Sequence, residues 1–364
     1  PERLSMTYYM VDIIALGMML KYVSDPQIRC RAGEMLSVFL EELLFFEDRQ
    51  PVPARRTYNQ HTGAALKWSA LDWVLGAIPD SPRDFATIVN NRGPHGFVED
   101  AGWLTLAELA MRDVVDPAAF VAPAPRQMRG RHVDEIGYTS YFHQAYTLGT
   151  FDCWPPWTVG KQHESDIPVA FAGAGNDLVY FGMYSIDGDD ALKTHPGTGF
   201  VATKPGDAMP RLHYFAAQHA NVACVLTNIT GMYCEMKEVG WMLRGLRYGG
   251  ELFDCNGNLL TGEGTVPAGW IFLRTNDYVA GICSLTHYDP MSDMLSDEPT
   301  SLRYVVGDGC LDVYAPNFTS PEALALKGNN LPAGAILVLG SAKDALDSFR
   351  DACLAAEVTD EWYV

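Results

Sequence analysis

The chain has 364 residues, 48% apolar and 20% charged, with a formal net charge of −19 and a sequence pI of about 4.7. This is globular composition, and the length predicts two domains or three. The acidity excludes nonspecific nucleic-acid binding, which needs a basic surface, and no stretch is long and apolar enough to predict a membrane span.

Taken in order, residues 4–24 and 27–47 carry apolar side chains at helical spacing on either side of Asp25-Pro26, which predicts an αα-hairpin. Residues 48–62 break the period with two prolines, and helices are expected again at 63–77, 83–91 and 103–115. Paired helices with prolines in their turns fit part of an α/α toroid. Residues 124–157 then crowd arginines, imidazoles, phenols and indoles into one junction at the change of architecture, the expected wall of a cleft between two domains.

Beyond the junction the period changes. Short apolar runs at 167–173, 177–184, 211–217, 221–229, 241–247, 268–274, 277–285, 301–306, 310–314 and 335–340 are separated by Gly, Asn and Asp. They predict a large antiparallel β-sandwich, closed by an amphipathic helix over 342–357. The expected class is therefore α+β and multidomain: an α/α toroid portion over 1–125, a junction lining the cleft over 126–160, and a sandwich with a C-terminal helix over 161–364.

Eight cysteines occur without a CxxC pair, and no Cys/His spacing fits a zinc module. Asn228-Ile229-Thr230 and Asn317-Phe318-Thr319 are sequons. GxSxG, GxGxxG and the P-loop pattern are absent, so neither an α/β-hydrolase elbow nor nucleotide chemistry has support. The sequence asks for no cofactor and no catalytic metal, and leaves a structural divalent metal open.

Three stretches carry candidate chemistry. The first is the loop with Arg55, Arg56, Asn59 and His61. β-Elimination on a uronic acid needs its carboxylate neutralised, a base for the C5 proton and an acid for the leaving oxygen at C4. Arg and Asn suit the first task, His or Tyr the second, and Tyr the third. Read structurally, the same loop only caps helix ends. The second stretch is the junction, with Arg129, Arg131, Tyr138, Tyr141, His143, Trp154 and Trp157. Here a nearby Arg favours an ionised phenol, and Tyr138 or Tyr141 is preferred to Tyr146, which reads as a strand residue. The third is His213 and His219, read more readily as core or rim histidines than as metal ligands.

The order of these features resembles the heparinase II/III-like polysaccharide lyases, an α/α toroid followed by an antiparallel β-sandwich. The matching pieces are YYMVDIIALGMMLKYVSDPQIRCRA, RRTYNQHTG, GYTSYFHQAYTLGTF, GWIFLRTNDYVAGICS and SFRDACLAAEV, spread over nearly the whole chain. The resemblance implies β-elimination of a uronate-bearing glycan. Asn59 and His61 then act from the toroid loop, Tyr138 or Tyr141 is the phenol, and His213 or His219 is the sandwich's contribution. Arg55, Arg56, Arg129, Arg131, His143, Trp154, Trp157 and His219 are expected to bind substrate.

The negative charge favours a carboxylated glycan with little or no sulfate. The competing readings are a glycoside hydrolase, for which Asp134-Glu135 and Glu99-Asp100 are the carboxylates to name, and a non-catalytic glycan-binding protein using Trp154 and Trp157 as stacking platforms. The partner in each case is an acidic polysaccharide or oligosaccharide, with homo-oligomers left open. A secreted or periplasmic location is expected, with a cytoplasmic one left open.

Overall fold

The computed structural model describes residues 9–43, 56–57, 125–131, 137–152, 165–166, 169–173, 178–186, 192–195, 211–230, 238–246, 248–285, 301–307, 309–318 and 331–358. Helices α1 (Tyr9–Tyr22) and α2 (Pro26–Leu43) form the hairpin that the helical spacing predicts. Their turn is set locally: Asp25 Oδ1 accepts the Gln27 and Ile28 amides at 2.8 and 3.4 Å, and Pro26 stands where its missing N–H costs nothing. Ile13, Ile14 and Leu16 of α1, and Ala32, Leu36 and Phe39 of α2, are buried.

Strands β1 (Arg56–Thr57), β2 (Arg126–Arg131), β3 (Gly137–Phe142), β4 (Tyr146–Phe151) and β5 (Ser165–Asp166) come next. β6 (Val169–Gly173), β7 (Leu178–Ile186), β8 (Leu192–His195), β9 (Arg211–His219), β10 (Val222–Thr230) and β11 (Glu238–Leu246) follow. The remainder are β12 (Glu251–Phe253), β13 (Leu259–Leu260), β14 (Gly262–Pro267), β15 (Trp270–Arg274), β16 (Tyr278–Leu285), β17 (Ser301–Gly307), β18 (Cys310–Phe318) and β19 (Leu331–Ser341), then helix α3 (Leu346–Ala355).

Two antiparallel sheets dominate. The seven-stranded one runs β13-β12-β15-β16-β19-β10-β9, and the ten-stranded one runs β14-β17-β18-β11-β7-β6-β4-β3-β2 with β8 on β7. β1 and β5 pair separately. The core lies between the large sheets, where Leu148, Phe171, Trp241 and Leu311 from one meet Val225, Ile271, Leu273 and Leu337 from the other. Period-two text such as that of β10 folds with alternating faces, Ala223 and Val225 inside and Val222 and Leu226 outside.

β16 is buried along its whole length because both its faces are covered. Its outer face lies under α3, where a side chain at Gly281 would meet Trp270, Phe272 and Cys353 within 3.2 Å. Burial there pushes the Cys353 thiol up to about 11.

The expected fold class is corrected. The described residues are mainly antiparallel β-sheet, and no α/α toroid occurs among them; their helices are the α1–α2 hairpin and α3. The physical reason is that a helix pair buries a stripe of each helix against the other, which does not by itself require a ring of such pairs. The expected helices at 63–77, 83–91 and 103–115 lie outside the described residues. Residues 126–131, 137–142 and 146–151 are strands of the larger sheet, continuous with the sandwich. Among the described residues no helix is long and apolar enough to cross a membrane.

Candidate functional site

The β2–β4 end of the ten-stranded sheet folds against β9, the outermost strand of the seven-stranded sheet. Gln218 of β9 is the hub of this seam. Its buried amide nitrogen donates to the Leu148 and Ala220 carbonyls, both at 3.0 Å, and its amide oxygen accepts the Thr150 hydroxyl at 3.1 Å. Gln127 of β2 accepts the Ala220 amide at 3.1 Å, and Arg129 Nη2 donates to the Gln218 carbonyl at 3.5 Å. The Ala216 amide donates to the Asp152 carbonyl at 2.7 Å. These bonds occupy groups that an edge strand otherwise leaves unpaired.

The same seam carries the junction's aromatic residues. Tyr141 stands opposite Gln127 in the β2–β3 register. The β3–β4 hairpin closes through the His143 amide donating to the Tyr146 carbonyl at 2.8 Å, and His143 Nδ1 accepts the Ala145 amide at 3.2 Å. With Nδ1 acting as acceptor, the neutral imidazole carries its proton on Nε2. The His143 ring stacks on Tyr146 at 4.7 Å, and Tyr141 lies 6.3 Å from the same ring. Tyr146 is buried and its hydroxyl donates to the Leu339 carbonyl at 3.3 Å. Burial first, then Tyr141 and Asp344, push its phenol well above the ordinary value, so it stays protonated at any physiological pH.

In the β2–β3 register exposed Arg129 shares a face with half-buried Tyr141, and half-buried His143 follows at the turn; His219, next to the inward Gln218 on β9, is exposed on the opposite face of its strand. Tyr138 is elsewhere: only 2% exposed, it packs in the hydrophobic core, so Tyr141 is the more accessible of the two phenols. Arg56 lies on β1 opposite Asp166, Arg131 ends β2, and His213 pairs with Asn228 within β9–β10; the side chains of these three lie outside the description. Arg55, Asn59, His61, Trp154 and Trp157 lie outside the described residues.

A second polar cluster escaped the sequence reading. On the outer face of the ten-stranded sheet, Arg244 Nε and Nη2 grip both oxygens of Asp312 at 2.7 and 2.8 Å, and Tyr314 donates to Asp312 at 2.8 Å. Beside them Tyr184 donates to Glu238 at 2.6 Å, and Arg303 pairs with the same carboxylate. Burial works against the Arg244 charge, but the forked bond to Asp312 outweighs it and raises its pKa. These residues come from four strands, and the one local hint is alternation: Tyr180 with Tyr184, and Asp312 with Tyr314, share a face.

Both carboxylates here are already satisfied by a guanidinium and a phenol, an arrangement that holds strands together. Replacing Arg244 alone with Met strands Asp312, and with a quarter of the Arg244 side chain in solvent the expected loss is about 2 kcal/mol, below the roughly 3–5 of a fully buried pair. Urea denaturation of Arg244→Met and of the Arg244→Met/Asp312→Leu double variant checks this, since the double variant should recover most of the loss.

Among the described residues no group of three or more His, Cys, Asp or Glu side chains is arranged to hold a metal ion. In comparisons with known proteins, no family profile and no curated protein matches the chain. Among solved structures, the Slr1438 protein from Synechocystis sp. PCC 6803 is similar over 61% of this chain and 99% of its own, at 6% identity and a TM-score of 0.24. A likeness at that level carries no argument.

Proposed function

We propose that the protein cleaves a uronic-acid-containing glycan by β-elimination, with the β2–β4/β9 seam as one wall of its site. The observation that carries this reading is a cation and a phenol on one face of a hydrogen-bonded seam, with an imidazole at its end: Arg129 bonds to the β9 backbone, Tyr141 shares its face in the β2–β3 register, and His143 stacks on Tyr146, whose ring lies 6.3 Å from that of Tyr141. In this assignment the Arg129 guanidinium neutralises the substrate carboxylate and makes the C5 proton more acidic. The His143 imidazole, stacked on Tyr146 near Tyr141, removes that proton. The Tyr141 phenol protonates the oxygen leaving C4.

A net charge of −19 repels a densely sulfated polymer, so the substrate is a carboxylated glycan with little or no sulfate.

Ultraviolet absorbance during incubation with a panel of uronate polysaccharides tests the reaction, because elimination leaves a double bond conjugated to the carboxylate. A rising trace is expected, with kcat/KM falling roughly 10²-fold in Arg129→Ala and in Tyr141→Phe. New reducing ends without absorbance would replace elimination with hydrolysis by a carboxylate pair. Binding without either product would leave a glycan-binding protein.

A further inference from the structure

We infer that residues 359–364, which follow α3, dock on the half of the seven-stranded sheet's outer face that α3 leaves bare. The helix covers the other half. A Cβ at Gly340, opposite Val279, would meet Phe349 at 3.0 Å, and one at Gly281 would meet Cys353 at 3.2 Å. α3 therefore runs along β16 in the direction of that strand. Beside it, β10 and β9 turn apolar side chains to solvent. Val222, Leu226 and Phe215 are 38, 49 and 63% exposed, and Cys224 is half-buried. Among the described side chains, no carboxylate, ammonium or guanidinium shares this face of the two strands. A contiguous exposed apolar patch of this kind marks a docking surface.

The patch is continuous with the surface that α3 already covers. Val338 packs in the α3 cluster with Phe272 and Cys353, and it stands between Gly281 and Val222 in one cross-strand row. Two outward rows farther along, in the direction in which α3 points, Leu285 lines up with Gly334, Leu226 and Phe215. The chain leaves the helix beside this patch, with Ala356 already extended at φ −71° and ψ 132°. Strand spacing of about 4.8 Å and a rise of about 3.3 Å per residue put Phe215 roughly 20 Å from Gly281. Residues 356–364 reach about 30 Å when extended, so the segment spans the whole patch. Its text also suits the surface: Trp362, Tyr363 and Val364 carry the large apolar groups that gain most by leaving water. Docked there, the segment straps β9 and β10 from outside, while Gln218 fastens β9 to the other sheet from inside. The inference is independent of the proposed reaction.

The test compares the full chain with one ending at Val358, using iodoacetamide labelling of Cys224 read by peptide mass spectrometry. Shortening is expected to speed Cys224 labelling roughly fivefold or more, with Cys30, exposed on α2, as the unchanged control. The melting temperature is expected to fall by about 2–4 °C as the apolar cover is lost. Trp362→Ala in the full chain should reproduce much of both changes. Leu226→Asp should speed Cys224 labelling in the full chain and change it little in the shortened one, where the strap is already gone. A Cys224 rate that shortening leaves unchanged overturns the inference. Labelling of buried Cys283 in step with Cys224 also counts against it, since that reports general loosening of the sandwich. A Cys224 rate that falls with protein concentration equally in both chains would seat a second copy on the patch in place of the strap.

Discussion

Raising the pH above 10 is expected to unfold the protein through its buried phenols. Burial pushes Tyr180 up to about 12, with Arg244 lowering and Asp312 raising that value. Burial, with the adjacent Asp312 carboxylate, pushes Tyr314 to about 12. Tyr184, fully buried against Glu238, and Tyr146 are shifted upward as well.

In each case the folded state holds the proton more tightly than the unfolded chain, whose phenols ionise near pH 10. The stabilisation is therefore complete below pH 10 and is lost as pH rises toward the folded values. Each phenol contributes about 1.4 kcal/mol per pH unit in that window, so four of them remove on the order of 5 kcal/mol by pH 11. That matches the lower end of ordinary domain stability, about 5–15 kcal/mol. Urea midpoints at pH 8, 10 and 11 measure the loss, and Tyr180→Phe/Tyr314→Phe should flatten the alkaline slope by about half. A phenolate absorbance that develops fully near pH 10 in the folded protein would show that these side chains are not shielded as described.

Gly240→Ala is expected to be the most damaging small substitution in the sandwich. Gly240 sits in β11 where the pairing with β18 shifts register, opposite Pro316 on one side and Tyr184 on the other. A Cβ there would lie 2.1 Å from the Ala315 carbonyl oxygen, and 2.8 Å from both the Pro316 Cα and the Tyr184 ring. None of these can step aside cheaply. The carbonyl and the Cα belong to the neighbouring strand, and the Tyr184 ring is fixed by its bond to Glu238 and by complete burial.

The cost is on the order of 4 kcal/mol, the range of severe overpacking and broken pairing. Gly249→Ala is the control: that glycine is exposed with nothing within 4 Å of its Cβ position, and a change of about 0.5 kcal/mol or less is expected. Equal urea midpoints for the two variants would refute the packing account of the β11–β18 register.

The expected strands at 211–217, 221–229 and 277–285 lie almost wholly within β9, β10 and β16, and 268–274 contains the whole of β15, because alternating or continuous apolar runs bounded by Gly, Asn and Asp suit little else. The strands over 251–253 and 262–267 were silent. β14 reads GEGTVP, polar text at a sheet edge with little apolar pattern to betray it. Of the site, the junction's concentration of Arg, Tyr and His was visible in order along the chain. Gln127 and Gln218 were not, because an amide carries no sequence signal until its partners, 93 residues away for Gln127 and 68 and 70 for Gln218 across the seam, are folded against it.

Periodicity, capping and turn residues act over a few neighbours, and they set the α1–α2 hairpin at Asp25-Pro26, most strands of the two sheets and the closing helix α3. Which sheet each strand joins, which of Tyr138 and Tyr141 is buried, and how Arg244 finds Asp312 were decided by tertiary packing. Those outcomes depend on contacts between segments tens or hundreds of residues apart, where hydrophobic burial rewards any compatible pairing and only the assembled core selects among them. The toroid expectation failed on this point: local helical pattern specifies a helix pair, and the assembly of pairs into a ring is a long-range property that local pattern does not contain.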